Sequence, residues 1–358
     1  MKFCNTNLKS YTFPLATAVC LALSGCGGGD DSSTAAATAS TDTLTAVVIT
    51  EANMADIAAA VIMSTTASDL GASDSASPSN LVLGVETTAK PPGSIPSPVG
   101  GMTELVVQEV KAASSLDAQA LVVGVESSPS SQCYIDGTKT YTYDRQDPSG
   151  TFIAGDRVKV SFSACDDGVH VLNGDIQMTV NSLSGFEDPF NPVGSMDVSA
   201  VFTNLVASAG QTSLTMNGGM NVAATITDPD NSTTTMQASS INYVVERNGS
   251  RMAMTLKNLN QHEAEYADRF ELSVSEDFSA SFPTFSGSGR VTTLVPVVTY
   301  FNVGTTGQLK VAGQNSALYI TFQSGDSVYL GLDRDNDGTP EVSVNTTLAE
   351  LDLLNDLF

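Results

Sequence analysis

The 358-residue chain has no tryptophan, two histidines, and 15 lysines and arginines against 39 aspartates and glutamates. Each shortage closes off a class of function. With a formal net charge of −24 the surface repels nucleic acid and anionic headgroups, so no polyanionic partner is expected. His170 and His262 are the whole supply of imidazole, and neither is spaced to complete a metal site. In His262-Glu263-Ala264-Glu265-Tyr266 a tyrosine stands where a zinc-protease helix requires its second histidine. There is no Gly-x-Ser-x-Gly elbow; Phe285-Ser286-Gly287-Ser288-Gly289 reads as a flexible turn. No phosphate-cradling glycine loop opens a helix. Acid pairs are plentiful, but in so acidic a chain they arise by chance and solvate the surface. A catalytic activity is therefore not expected.

Long apolar runs are also missing. Residues 11–23 are apolar behind a basic start (Lys2, Lys9), but a membrane-spanning helix needs about 20 residues, so this reads as a secretory segment. Small Ser24 and Gly25 then precede Cys26, and Gly27-Gly28-Gly29-Asp30-Asp31 begins a low-complexity tether. Leu23, Ser24, Gly25 and Cys26 resemble the bacterial lipoprotein signal. The resemblance implies cleavage before Cys26 and acylation of its thiol and amine. Gly27, standing where an aspartate would favour inner-membrane retention, points to the outer membrane without fixing the leaflet. Several acyl chains at ~0.8 kcal/mol per buried methylene make such an anchor permanent. The expected divisions are a signal peptide (1–25), a tether (26–43), a helical and loop segment (44–130) and a β domain (131–358).

Lys2 and Lys9 leave with the signal and no acid does, so the mature chain carries 13 basic against 39 acidic side chains, a net charge of −26. Cys4 and Cys20 leave with it too, and Cys26 takes the lipid. The remaining pair, Cys133 and Cys165, in an oxidising compartment most simply forms a disulfide.

After the tether the period is helical. Met54, Ile57, Ala58, Val61 and Ile62 form a narrow stripe, with Thr50 available as N-cap and Glu51 in the first turn. A long loop, 64–101, separates it from a second amphipathic stretch with Met102, Leu105, Val106, Val110 and Ala113 on one face, interrupted by Glu109. Narrow stripes imply that both helices dock on something larger. From about Cys133 the period drops to two, as in Val158, Val160 and Phe162; Ile176, Met178 and Val180; Leu318, Ile320 and Phe322. Asp136-Gly137, Asp167-Gly168, Asn173-Gly174, Asn217-Gly218, Asn248-Gly249 and Asp337-Gly338 are dipeptides of the hairpin-turn kind. The stretches around Asn173-Gly174 and Asn217-Gly218 echo each other. The pattern predicts a mainly β protein: an antiparallel meander of roughly a dozen strands. Its apolar face must be hidden, as a curved sheet or half-barrel, a barrel or a sandwich. Thr347, Leu348, Leu351 and Leu354 predict a short C-terminal helix. A transmembrane barrel is rejected, because alternate residues back from Phe358 are Asp356, Leu354, Asp352 and Glu350.

The sharpest motif is Asp333-Arg334-Asp335-Asn336-Asp337-Gly338-Thr339-Pro340-Glu341. Carboxylates at positions one, three and five, a sharp glycine turn at six and a ligand position at Thr339 suit a hard cation, Ca²⁺, in a structural role. Position twelve holds Val344 instead of the EF-hand acid, and Glu341 at position nine takes its place, as in the calcium hairpins of β-propeller repeats. A decayed version has Asp147, Ser149 and Asp156 at positions three, five and twelve, but Arg145 at position one; it reads as a plain turn.

The lipobox, Ile49-Thr50-Glu51-Ala52-Asn53, the two cysteine regions and the closing Gly307–Gly313 and Leu332–Gly338 stretches together resemble a group of uncharacterised, β-rich proteobacterial lipoproteins. That resemblance implies an envelope protein and brings no catalytic residues. The expected role is non-enzymatic binding or structure at the outer membrane, with the membrane engaged through Cys26. The alternative is a periplasmic carrier holding an apolar ligand, a lipid or acyl chain, on the concave face of the sheet.

Overall fold

Alternating apolar and polar side chains can keep only one face of a strand out of water, and the chain is built on that rule. The computed structural model describes residues 44–65, 103, 105–107, 109, 110 and 113, then 124–127, 131–146, 152–185, 193–228, 231–300 and 303–351, apart from 169 and 248. The expected signal peptide, Cys26, the tether and most of the long loop lie outside the described residues. Fifteen strands follow one another: β1 (Gly124–Ser127), β2 (Ser131–Gln132), β3 (Asp136–Arg145), β4 (Arg157–Asp166), β5 (Val171–Ser184), β6 (Gly194–Ala209), β7 (Thr212–Asp228), β8 (Asn231–Arg247), β9 (Ser250–Tyr266), β10 (Arg269–Ser281), β11 (Ser286–Tyr300), β12 (Gly304–Ala312), β13 (Ala317–Phe322), β14 (Ser327–Asp333) and β15 (Val342–Thr347). From β3 onward each pairs with its sequence neighbour; β1 lies on the far side of β3, which also takes β2. The single antiparallel sheet is open, with β1 and β15 at opposite ends of its strand order.

The period-two residues do what their spacing requires. Val158 and Val160, Ile176 and Met178, Leu318 and Ile320, and Leu330 and Leu332 are all at most 1% exposed. They belong to one continuous core that runs from β3 to β14. A flat sheet this wide would need a second layer of equal width, whereas here two helical pieces lie against it, so the sheet curls round them. The first, α1 (Met54–Thr65), is buried on almost every side. The narrow stripe foreseen from its sequence is widened by Ala59 and Ala60, which are small enough to admit close packing. Its cap is Asn53 rather than Thr50, since the Asn53 carbonyl takes the first helical hydrogen bond, from Ile57 N at 3.0 Å. Thr50 closes the turn before it, and its N–H donates to Asn53 Oδ1 at 2.8 Å. The described residues between 103 and 113 are helical too, with Val106, Val107, Val110 and Ala113 buried. Ser64 of α1 reaches Glu276 on β10, while Thr103 reaches Met236 on β8 and Glu109 reaches Tyr141 on β3. Between them the two helices fill the hollow across much of the sheet.

At the other end of the chain, Thr347 and Glu350 form a reciprocal capping box, Glu350 N donating to Thr347 Oγ1 and Thr347 N to Glu350 Oε2, both at 3.2 Å. One turn follows, to Leu351; the remainder of the expected C-terminal helix lies outside the described residues.

Three of the six dipeptides assigned to hairpin turns lie inside strands. Asn173-Gly174 is within β5, Asn217-Gly218 within β7, and Asp136-Gly137 opens β3. They serve β-bulges. Asn173 Oδ1 accepts from Ala164 N (2.8 Å), and Asn217 Oδ1 accepts from Asn204 N (2.7 Å). Ala164 and Asn204 are the bulged residues, with φ of 46° in both. Gly174 is the neighbour that makes room: a Cβ there would lie 2.1 Å from the Asn204 carbonyl oxygen. The internal echo in the sequence is this device used twice. Register shifts continue at Gly219/Asn221, Ser275/Asp277 and Thr293/Val295, a line of bulges crossing the sheet. Bulges bend strands and raise their twist, so this line supplies the curl that the buried face demands.

Cys133 and Cys165 are joined, with Cα atoms 5.4 Å apart across a sequence separation of 32. The bond ties the residues before β3 to the end of β4, and a loop of that length contributes about 3–4 kcal/mol in the chain-entropy model.

Gly174→Ala should lower the unfolding free energy by about 2–5 kcal/mol, from left-handed strain plus the clash. Gly249, with φ of +83° in open space, should lose only about 1–2 kcal/mol as alanine. Urea titrations of the two variants compare them; equal losses would mean the bulge tolerates a side chain.

Candidate metal centre

β14 and β15 are joined by the acidic segment, and the chain must reverse there within a few residues. Asn336 (φ 59°) and Gly338 (φ 96°) take the left-handed conformations that make the reversal. Glu341 N closes the hairpin on the Leu332 carbonyl at 3.0 Å. Asp333, the last residue of β14, is fully buried, whereas Asp335, Asp337 and Glu341 are exposed.

Backbone amides orient all four carboxylates. Asp333 accepts from Asp337 N (3.1 Å) and Gly338 N (2.8 Å), one on each oxygen. Asp335 Oδ1 accepts from Asp337 N (3.2 Å), Asp337 Oδ1 from Thr339 N (2.8 Å), and Glu341 Oε2 from Arg334 N (2.7 Å). One oxygen from each of the four lies within 4.8 Å of the others. Oxygens around Ca²⁺ sit 2.3–2.6 Å from the ion, hence no more than about 5 Å apart. The cluster therefore has the dimensions to hold a metal ion. Thr339 occupies the position that contributes a backbone carbonyl in such loops. Two cations border the cluster without entering it: Lys310 Nζ donates to Asn336 Oδ1 at 3.2 Å, and Arg334 pairs with Glu51 just ahead of α1.

The decayed loop is a structural corner in its described part; Asp147 and Ser149 lie outside it. Asp156 is fully buried and accepts from Gln146 N (2.8 Å) and Ile153 N (2.9 Å). The Arg145 guanidinium lies 4.2 Å from the centroid of Phe152. Burial lowers its pKa and the charge of Asp156 opposes the fall. Position one is thus occupied by a cation that the fold has enclosed.

Glu109, which interrupted the apolar stripe of the second helix, has partners waiting on β3. Tyr141 Oη donates to it at 2.6 Å and Lys139 Nζ at 3.1 Å. Burial, then the charge of Glu109, raises the Tyr141 pKa above its ordinary value and pushes that of Tyr143 up to about 12.

His262 is on β9, not on a helix, with Nδ1 3.2 Å from Thr235 Oγ1 on the exposed face. Phe285–Gly289 is not a flexible turn either. Ser286–Gly289 belong to β11, and the incoming chain crosses them, Val47 N donating to Ser288 O at 2.8 Å. Compared with known proteins, the chain matches no family model, no curated protein and no solved structure.

Asp156→Ala should cost about 3–5 kcal/mol, because it leaves two backbone amides and a buried guanidinium without their acceptor and counter-charge. Asp156→Asn should cost less. Urea unfolding measures both, and a loss under about 1 kcal/mol for the alanine variant would show that the carboxylate does not hold the corner.

Proposed function

We propose that this chain is a lipid-anchored protein of the outer membrane whose β domain works as a non-enzymatic binding or structural module, with Ca²⁺ as a structural ion in the β14–β15 hairpin. The observation that carries the reading is the filled hollow. Core side chains on the inner face, among them Val198, Val222, Met236 and Leu256, have no accessible surface. A residue lining a ligand cavity of several hundred cubic ångströms keeps accessible surface, because a probe the size of water enters such a space. A packed interior suits a module that binds through its outside, and it weighs against the carrier of an acyl chain. The lipobox and the glycine-rich tether support attachment through Cys26, and the kinship with β-rich proteobacterial lipoproteins is part of the same proposal.

Calcium is favoured over magnesium by the ligand set. The cage is flexible, all oxygen, and rich in carboxylate, whereas Mg²⁺ demands near-octahedral geometry and keeps its waters. Four carboxylates within nine residues of a chain of net charge −24 repel one another, and a divalent ion cancels that repulsion. The missing acid at Val344 sets the expected affinity at about 0.1–1 mM, the range of extracellular modules.

Two measurements test the reading. Ca²⁺ should raise the melting temperature, adding about 2.7 kcal/mol at a hundredfold excess over Kd, and Asp335→Ala should remove most of the gain. An unchanged melting curve in millimolar Ca²⁺ would leave the loop as a turn only. For the anchor, Cys26→Ser should give an unprocessed precursor that no longer partitions into detergent with the outer-membrane fraction; normal processing and partition would refute the lipid attachment.

A further inference from the structure

The inner face of the sheet is apolar at almost every level, and Glu276 of β10 is an exception at its centre. Its carboxyl is 1% exposed. Val274 and Phe278 flank it on the same face of β10, Val291 stands opposite on β11, and Leu259 faces inward from the β9 bulge beside it. Oε1 meets Ser64 Oγ, in the last turn of α1, at 3.0 Å, and Oε2 has no hydrogen-bond partner. Ser64 Oγ also lies 2.9 Å from the Val61 carbonyl. A serine hydroxyl has one hydrogen, and a carbonyl can only accept. The Val61 carbonyl also accepts from Thr65 Oγ1 at 2.8 Å, so the Ser64 hydrogen goes to Glu276 Oε1, and a neutral carboxyl carries its own proton on the buried, unpartnered Oε2.

The surroundings point the same way. α1 presents no titratable group beyond Asp56 in its first turn. β8 contributes Tyr243, whose hydroxyl is given to Met254 Sδ. Asp277, next in β10, alternates to the outer face, where Asn258 donates to it at 2.7 Å and Arg290 of β11 lies 3.8 Å away. Lys257 of β9 is opposite Asp277, again on the outer face. Among the described residues no cation faces Glu276 from inside, and against them an ionised carboxylate would have neither counter-charge nor a second donor.

We propose that the protonated carboxyl of Glu276 is a pH-sensitive latch that seats the last turn of α1 in the hollow of the sheet, and that its ionisation loosens that turn. Burial is the main cause that raises its pKa from 4.5 to about 7, with the hydrogen bond from Ser64 opposing and Asp277 adding to the rise. A raised carboxyl favours the closed state most below its ordinary pKa. That advantage drains away as pH rises through about 7, because the open turn can release the proton and the closed one cannot.

Hydrogen exchange of the amides in 57–65, on the full chain in detergent and corrected for intrinsic rates, reads the opening directly. The opening constant should rise about fortyfold between pH 5 and pH 7 and level off above that. Glu276→Gln keeps a carbonyl oxygen to accept from Ser64 Oγ and cannot ionise, so its opening constant should be flat across the range. A flat wild type, or a Glu276→Gln variant with the wild-type slope, would overturn the latch. Should that variant fail to fold, infrared difference spectra of the wild type between pH 5 and pH 8 decide. A buried protonated-carboxyl band that disappears as pH rises, and that remains in Glu263→Gln, which removes the other buried carboxyl raised to about 7, supports the proposal, and its absence at pH 5 refutes it.

Discussion

A one-sided apolar face some fourteen strands wide has to leave water, and the rest of the structure follows from that requirement. Hydrophobic burial contributes about 25 cal/mol per Å², so a face of Val, Ile, Leu and Met left wet would forfeit most of the driving force for folding. The chain has two ways to hide it: a second layer, or curvature. It uses a little of the first and much of the second. The two helices cover the hollow, and the line of bulges from Ala164 through Asn204 to Asn258 bends the long strands round them. An asparagine that caps the bulged amide of one neighbouring strand, followed by a glycine that yields to a carbonyl of the strand on its other side, is the local chemistry by which a strand accepts that bend without losing its hydrogen bonds.

Enclosure has a consequence for the polar groups caught inside. Each must find a partner or give up its charge. Glu109 has Lys139 and Tyr141 as partners. Asp156 spends both oxygens on backbone amides and stands beside Arg145. Glu276 has only a serine hydroxyl, and burial raises its pKa to about 7, as it does that of Glu263 on β9.

The acidic hairpin obeys the opposite rule. Its carboxylates are mostly exposed, and amide donors orient them while leaving lone pairs open to a cation. It also touches the packing of the interior, because Arg334 pairs with Glu51 at the entrance to α1. The segment that leads to α1 is laid across β11 and β12–β13 by Val47 and Ile49, whose amides reach Ser288 and Ser316. Helix docking thus depends on contacts at both ends, near the hairpin at its start and at Glu276 at its finish.

Periodicity by itself determined the strand class, the inward residues of nearly every run and the helical segments, because a period of two or of 3.6 is a property of neighbouring residues. The acidic loop was legible for the same reason: its spacing is local, and the geometry gathered the four carboxylates it named. Cysteine count, with an expected oxidising compartment, pointed to the Cys133–Cys165 bond that the structure contains. The sequence could not distinguish Asn-Gly in a turn from Asn-Gly at a bulge, since both need positive φ and only the neighbouring strand decides which is built. Nor could it show that Ala59 and Ala60 are buried beside the stripe, that Glu109 interrupts a stripe in order to meet Tyr141, or that Glu276 lies against Ser64, 212 residues away. Those facts depend on which strands the curl of the sheet brings opposite the helices, and curvature is a property of the whole sheet that no window of residues contains.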